Sequence, residues 1–386
     1  MPSWRSQLYR KQARKAGADP AVIANAIATA EVTLAVNPAL SPVLTLRHLA
    51  HEAGVDYGLL RGIVTRANES PYRIFRIRKR PSYPGEERFR VIAVPNPGLL
   101  RTQRWITQRI LAHAKPHAAS VAYRKRDTIV AAAKPHCGCR WLIKMDVRNF
   151  FESISEIAVY KVFRSLGYQA LIAFEMTRIC TRLGAPTRLR NADRWRSHMW
   201  KRPTIVAYAT MRMGHLPQGA PTSPMLANLA LRGFDQAVSA IANRYGLIYT
   251  RYADDLALST DDVHFSRERC QAAIGEIYAE MGRAGLSPNV TKTRVTPPGA
   301  RKIVLGLLVD GEQPRLPREF KTKMRQHIHF LMRPDVGPSQ HAYARGFASV
   351  IGLKHHLWGL VSFAKQVEPE YGVACAKKVR EVFWPI

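Results

Sequence analysis

Hydrophobic spacing divides the chain into stretches of different period. Residues 1 to about 68 carry apolar positions three and four apart, most clearly in SPVLTLRHLAHEAGVDYGLLRGIVTRA, which predicts helices capped by the preceding Ser and Thr. Leu49-Ala50, Gly54-Val55 and Leu59-Leu60 also fit a helix-turn-helix, a unit that either reads a DNA groove or packs two helices together. From Tyr72 the period drops to two: YRIFRIRKR, a Pro and Gly turn at PSYPGEE, then RFRVIAVP, a basic β-hairpin. A helix is expected from about Leu99 to His113, and RWLIKMDVRNFF reads as an alternating strand ending in a turn. Helical period returns from about Ile157 to Leu183 and leads into a basic insert, TRLRNADRWRSHMWKRP. GHLPQGAPTSP reads as a loop and MLANLALRGFDQAVSAIANRYG as a helix; LIYTRYA and DLALST are strands joined by a YADD turn. IGEIYAEMGRAG gives a further helix, RKIVLGLLVDG a hairpin, and the residues beyond about Pro317 are mostly helical. No internal repeat or low-complexity stretch is present, which excludes a solenoid.

Composition changes the picture in one respect. With 386 residues, 46% of them hydrophobic, the chain can bury a large core. Its 59 Lys plus Arg stand against 28 Asp plus Glu, a formal charge of +31 spread along the whole length. A polyanionic partner, above all nucleic acid, is the expectation. No apolar run approaches the roughly 20 residues that span a bilayer. The basic N-terminus has no apolar core or cleavage site of a secretory signal, so a cytoplasmic location is expected. Five cysteines at 137, 139, 180, 270 and 375 suit neither a disulfide framework nor a zinc site, and are read as free thiols.

The candidate chemistry lies in acids at strand ends. LIKMD delivers Asp146, and the turn of IYTRYADD delivers Asp254 and Asp255. Alone, paired aspartates in a turn more often mark a solvated hairpin tip. Gathered on one sheet edge, the three carboxylates would hold two Mg²⁺ ions, with Mn²⁺ as a substitute, the arrangement that nucleotidyl transfer requires. Asp146 and Asp254 are the expected bridging ligands, Asp255 supports the outer geometry, and the Val147 carbonyl can complete a site.

Taken together, Arg90-Val91-Ile92 with Pro95, QRWI at 103–106, DVRNFF at 146–151, GHLPQGAPTSPMLANL at 214–229, RYADD at 251–255, NVTKT at 289–293 and VLGLLV at 304–309 resemble the bacterial reverse transcriptases, most closely the retron branch. The resemblance covers roughly residues 70 to 365, and its specificity lies in the joint order of the motifs. It implies an α+β right-hand polymerase with an N-terminal helical extension: residues 1–68 as that extension, 69–145 as fingers, 146–316 as palm with a basic insert near 182–202, and 317–386 as a helical thumb. It also implies roles. Phe151 would be a steric gate against the ribose 2′-hydroxyl, Gln218 would lie along the incoming nucleotide, Arg90 would grip the triphosphate, and Lys292 would sit near the leaving pyrophosphate. Lys79, Arg88, His136, Arg251 and Trp358 are candidate nucleic-acid contacts. Each has a plainer reading as an aromatic core residue, a helix cap neighbour or a solvated cation.

Two elements depart from the retron pattern. Ala132-Ala133-Lys134-Pro135-His136 keeps the His but not the Asn of Asn-Ala-x-x-His, and Val304-Leu305-Gly306 keeps the Gly but not the Thr of Val-Thr-Gly. Those elements are associated with the retron's own RNA, so the departure leaves catalysis untouched and weakens the inference of a branched RNA-DNA product. The expected partners are a noncoding RNA template, its RNA-DNA product, deoxynucleotides and an effector protein in phage defence. The rivals are a non-retron defence-associated reverse transcriptase, an idle RNA-binding scaffold and a group II intron-type maturase.

Overall fold

The structure, a computed structural model, describes residues 4–66, 70–78, 89–124, 127–184, 205–209 and 212–385. Four N-terminal helices come first: α1 (Ser6–Lys15), α2 (Pro20–Val36), α3 (Leu46–Ala53) and α4 (Tyr57–Thr65). Thr45 and Asp56 cap α3 and α4 by accepting from the backbone N–H groups of His48 and Leu59. The apolar stripe of this helical pair is spent on packing, with Leu49 and Leu60 fully buried in the main core. Strands β1 (Tyr72–Arg78) and β2 (Phe89–Pro95) form the antiparallel hairpin expected from the period of two. Its turn, with Lys79 and Arg88, lies outside the described residues, as does most of the basic insert with Trp195 and Trp200.

Helix α5 (Pro97–Arg109) and the short α6 (Ile129–Ala133) lead to β3 (Trp141–Asp146) and α7 (Phe150–Ser153). The stretch of helical period from about Ile157 to Leu183 forms two helices, α8 (Glu156–Ser165) and α9 (Ala170–Cys180). The chain breaks at Gly167, whose φ of +86 no helix accommodates; a side chain there would also meet the backbone of Val32 and Thr33 at 2.9 Å. The next expected helix is likewise two, α10 (Ser223–Ala230) and α11 (Arg232–Tyr245). Strands β4 (Ile248–Tyr252) and β5 (Asp255–Thr260) and helix α12 (Arg267–Arg283) follow. Then come β6 (Arg294–Thr296), which the sequence pattern did not reveal, and the hairpin of β7 (Ile303–Val304) and β8 (Leu307–Leu308). Helices α13 (Arg318–Met332), α14 (Gly337–Ala344), α15 (Val350–Val367) and α16 (Pro369–Glu381) end the chain around an apolar cluster of their own.

The central sheet is four-stranded, in the order β4-β5-β3-β6, with β5 antiparallel to both β4 and β3. Side chains alternate between its two faces. Ile143, Met145, Leu256 and Leu258 point to the helix-packed core, whereas Leu142, Ala257 and Ser259 share the opposite face with Asp146 and Asp255.

That alternation decides the fate of Arg251. It projects with Tyr249 into the core, fully buried, and its Nε and Nη2 donate to the two carboxylate oxygens of Asp235 at 2.7 and 2.6 Å. Its expected role in contacting nucleic acid is therefore corrected: a side chain with no exposed surface serves to brace the sheet. The Tyr249 hydroxyl donates to the same carboxylate at 2.9 Å, and burial beside it pushes that phenol well above its ordinary pKa. Removing one member strands a buried charge, so Asp235→Ala should cost roughly 3–5 kcal/mol of stability. Chemical denaturation checks this, and an unchanged midpoint would refute the bracing role.

Candidate active site

Antiparallel pairing of β3 with β5 sets Asp146 directly opposite Asp255. The loop between β4 and β5 is only Ala253-Asp254, because Tyr252 pairs with Asp255. Ala253 occupies the left-handed region at φ +57, which a tight hairpin demands at its first loop position and which costs a non-glycine residue energy. The turn is held on two sides: Arg251 Nη1 donates to the Ala253 carbonyl at 3.1 Å, and the Val147 N–H donates to the Asp254 carbonyl at 3.0 Å. All three expected aspartates are thus brought together at one sheet edge.

Their surroundings are electrostatically costly for anions. Burial first, and the neighbouring carboxylates after it, raise the pKa of Asp254 and Asp255, while Lys292 acts the other way on both. Arg90, exposed on β2, lowers Asp254 further, which places that cation within electrostatic reach of the turn. Asp146 is 7% exposed and fully engaged: Asn289 Nδ2 donates to Oδ1 at 2.7 Å and Lys292 Nζ to Oδ2 at 2.9 Å. Among the described residues, no three His, Cys, Asp or Glu side chains are arranged so that they could hold an ion as they stand. The donor set nevertheless fits a hard divalent cation, being all oxygen and negative at a partly buried edge. What competes for Asp146 is Lys292, whose side chain is 51% exposed, and such an exposed arm is held weakly.

The remaining expected residues fall into three groups. Phe151 is half-buried and meets Phe150 edge to face, at 5.2 Å between ring centroids, and Arg251 lies over the Phe150 ring at 5.9 Å. Gln218 is half-buried, and its carbonyl accepts from the Ala93 N–H at 2.7 Å, which ties the loop to β2. Gly219, at φ +112, allows that approach, since a Cβ there would come within 3.0 Å of the Ala93 carbonyl oxygen. Trp358 is half-buried against the thumb's apolar cluster.

His136 is a second correction. It is fully buried on the carboxylate-bearing face of the sheet, with Nδ1 2.7 Å from Ser259 Oγ and Nε2 2.7 Å from Thr250 Oγ1, so it ties strands together and reaches no nucleic acid. Sequence reasoning missed Asn289, although NVTKT was recognised, and Asp235, whose pairing with Arg251 follows only from tertiary structure. It also missed Tyr123, 41% exposed at φ +68 and 6.2 Å from the Tyr252 ring, whose pKa is raised to about 12 by burial first and by the charge of Asp254 after it.

An antiparallel four-stranded sheet backed by helices, with acids gathered at one edge by a strand end and a two-residue hairpin turn, fits a right-hand nucleic acid polymerase. A family model described as "Reverse transcriptase (RNA-dependent DNA polymerase)" matches residues 77–307. The retron Ec86 reverse transcriptase of Escherichia coli is 31% identical over 304 residues, 78% of this chain and 82% of that one. The retron Mx162 reverse transcriptase of Myxococcus xanthus is 28% identical over 307 residues, 76% of this chain and 58% of that longer enzyme. A solved telomerase from Candida albicans aligns at a TM-score of 0.37 with 11% identity, over 80% of this chain and 56% of that one. The chain belongs to the reverse transcriptase family, in its retron branch, and its activity is RNA-directed DNA polymerisation. Among the described residues no helix is long and apolar enough to cross a membrane.

Burial lowers the pKa of His136 from 6.5 to about 4. The unfolded chain therefore takes up this proton at higher pH than the folded one. The contribution of His136 to stability is complete above pH 6.5 and is lost between 6.5 and about 4, by on the order of 3 kcal/mol in all. His136→Gln should flatten that acid limb in urea titrations at stepped pH; an unaltered slope would show that His136 titrates normally.

Proposed function

We propose that the chain copies a noncoding RNA into DNA by two-metal nucleotidyl transfer, in the cytoplasm, within a retron or related system of defence against phage. The observation that carries the reaction is the register placing Asp146 opposite Asp255 beside the two-residue turn that holds Asp254. Asp146 and Asp254 would hold two Mg²⁺ ions, with Asp255 and the Val147 carbonyl in support. When bound, such ions activate the primer 3′-oxygen and stabilise the leaving pyrophosphate.

The chain's own groups do the positioning. Phe151, propped by Phe150, closes the space a ribose 2′-hydroxyl would need. Gln218 and Gly219 bring the loop against β2, so that Arg90 and the triphosphate face one another across the site. Lys292 leaves Asp146 and turns to the departing pyrophosphate, where an ammonium neutralises developing charge. In this reading residues 1–68 are an added helical region, 69–145 the fingers, 146–316 the palm and 317–386 the thumb. Trp358 then contributes to the thumb's packing, with its exposed part toward the duplex. An effector protein would complete the defence system.

Primer extension on an RNA template tests the assignment. Asp254→Asn should lower incorporation by at least about a thousandfold with RNA binding retained, and loss of binding without loss of chemistry would contradict it. Phe151→Ala should admit ribonucleotides; an unchanged sugar preference removes the gate.

A further inference from the structure

Away from the aspartates, α4, the start of β1 and the end of α9 enclose a cavity of about 380 Å³, within the range of small-ligand sites. Its lining includes the apolar side chains of Leu59, Ile63, Pro71, Tyr72 and Leu183. It also includes Arg66, Arg178 and Arg182. Among the described residues, Glu156 contacts this cluster, 2.7 Å from Arg66 Nη2 and 3.3 Å from Arg178 Nε, and Glu152 acts on Arg182 electrostatically. The three guanidinium groups of the lining share these two carboxylates. The Arg66 side chain is 8% exposed and, among the described residues, its buried Nη1 has no partner, nor has the buried Nε of Arg182. Burial lowers the pKa of Arg182, the direction an added anion would reverse.

A lining that combines apolar side chains with buried guanidinium nitrogens that have no partner among the described residues suits a ligand that is flat at one end and anionic at the other. We propose that this cavity is a second, non-catalytic nucleotide site, taking a nucleoside monophosphate unit with its phosphate on Arg66 and Arg182 and its base on the apolar side chains. The unit is either a free nucleotide or an unstacked residue of a bound RNA strand; the chemistry recognised is the same. The site is wired to the loop that carries Gln218. Glu156 Oε2 accepts from the Gly214 N–H at 2.6 Å, and Arg66 lies against Gly214, where a Cβ would come within 2.5 Å of Nη2.

The test uses the full chain in metal-free buffer containing a chelator, so that nucleotide binding at the aspartates is suppressed and the outcome is independent of polymerisation. Adenosine 5′-monophosphate, a short single-stranded oligoribonucleotide and inorganic phosphate are titrated calorimetrically. Ser70 is exposed and lines the cavity without joining the ion cluster, so Ser70→Trp blocks the space; Arg182→Gln removes the charge. Either nucleotide probe should bind more tightly than inorganic phosphate and weaken at least about tenfold in both variants, with melting temperature and primer extension unaltered in Ser70→Trp. Binding of the monophosphate alone assigns the site to free nucleotide, and binding of the oligoribonucleotide alone assigns it to a strand. The proposal is overturned if neither probe binds, if inorganic phosphate binds as tightly, or if Ser70→Trp leaves binding intact.

Discussion

The site depends on the register between β3 and β5, which fixes which acids face each other. A slip of one residue would turn Asp146 into the core and bring Met145 to the carboxylate face. The buried Asp235–Arg251 pair works against such a slip. Arg251 is anchored to α11 through Asp235, holds the Ala253 carbonyl of the turn, and lies over Phe150. One guanidinium thus connects the acid-bearing turn with the aromatic pair below it, and the strain at Ala253 is carried by this scaffold. An ion pair of this kind adds little net stability against an apolar substitute, but it specifies geometry by requiring all its hydrogen bonds at once.

The aspartates carry a further constraint. Burial and mutual repulsion oppose ionisation of Asp254 and Asp255, while Asp146 is held by Asn289 and Lys292. Lys292 screens the acids in the structure described, and the same ammonium is long and exposed enough to serve elsewhere. The Ala93 to Gln218 backbone bond ties β2 to the loop before α10, and Arg90 on β2 acts electrostatically on Asp254.

Much of this was legible in the sequence, for reasons that differ by residue. The β-hairpins and both catalytic strands follow from period-two alternation, and the acids at strand ends needed only the motif order to be read together. The breaks inside the two long helical stretches were not legible, because apolar spacing continues across them while Gly167 and Leu231 turn the chain. Arg251 and His136 were misread for a common reason. Polar side chains on a basic protein suggest a ligand, yet partners distant in sequence, Asp235 for one and Ser259 with Thr250 for the other, satisfy them internally. Asp146's contact with Asn289 spans 143 positions, a distance no local pattern encodes.

The most direct measurement is the location of Mn²⁺ by anomalous diffraction from crystals soaked in that ion. The expected result is metal bounded by the carboxylates of Asp146 and Asp254, with Lys292 Nζ displaced from Asp146. Ions bound elsewhere, with the Lys292 to Asp146 pair intact under saturating Mn²⁺, would contradict the assignment of this strand edge as the catalytic centre.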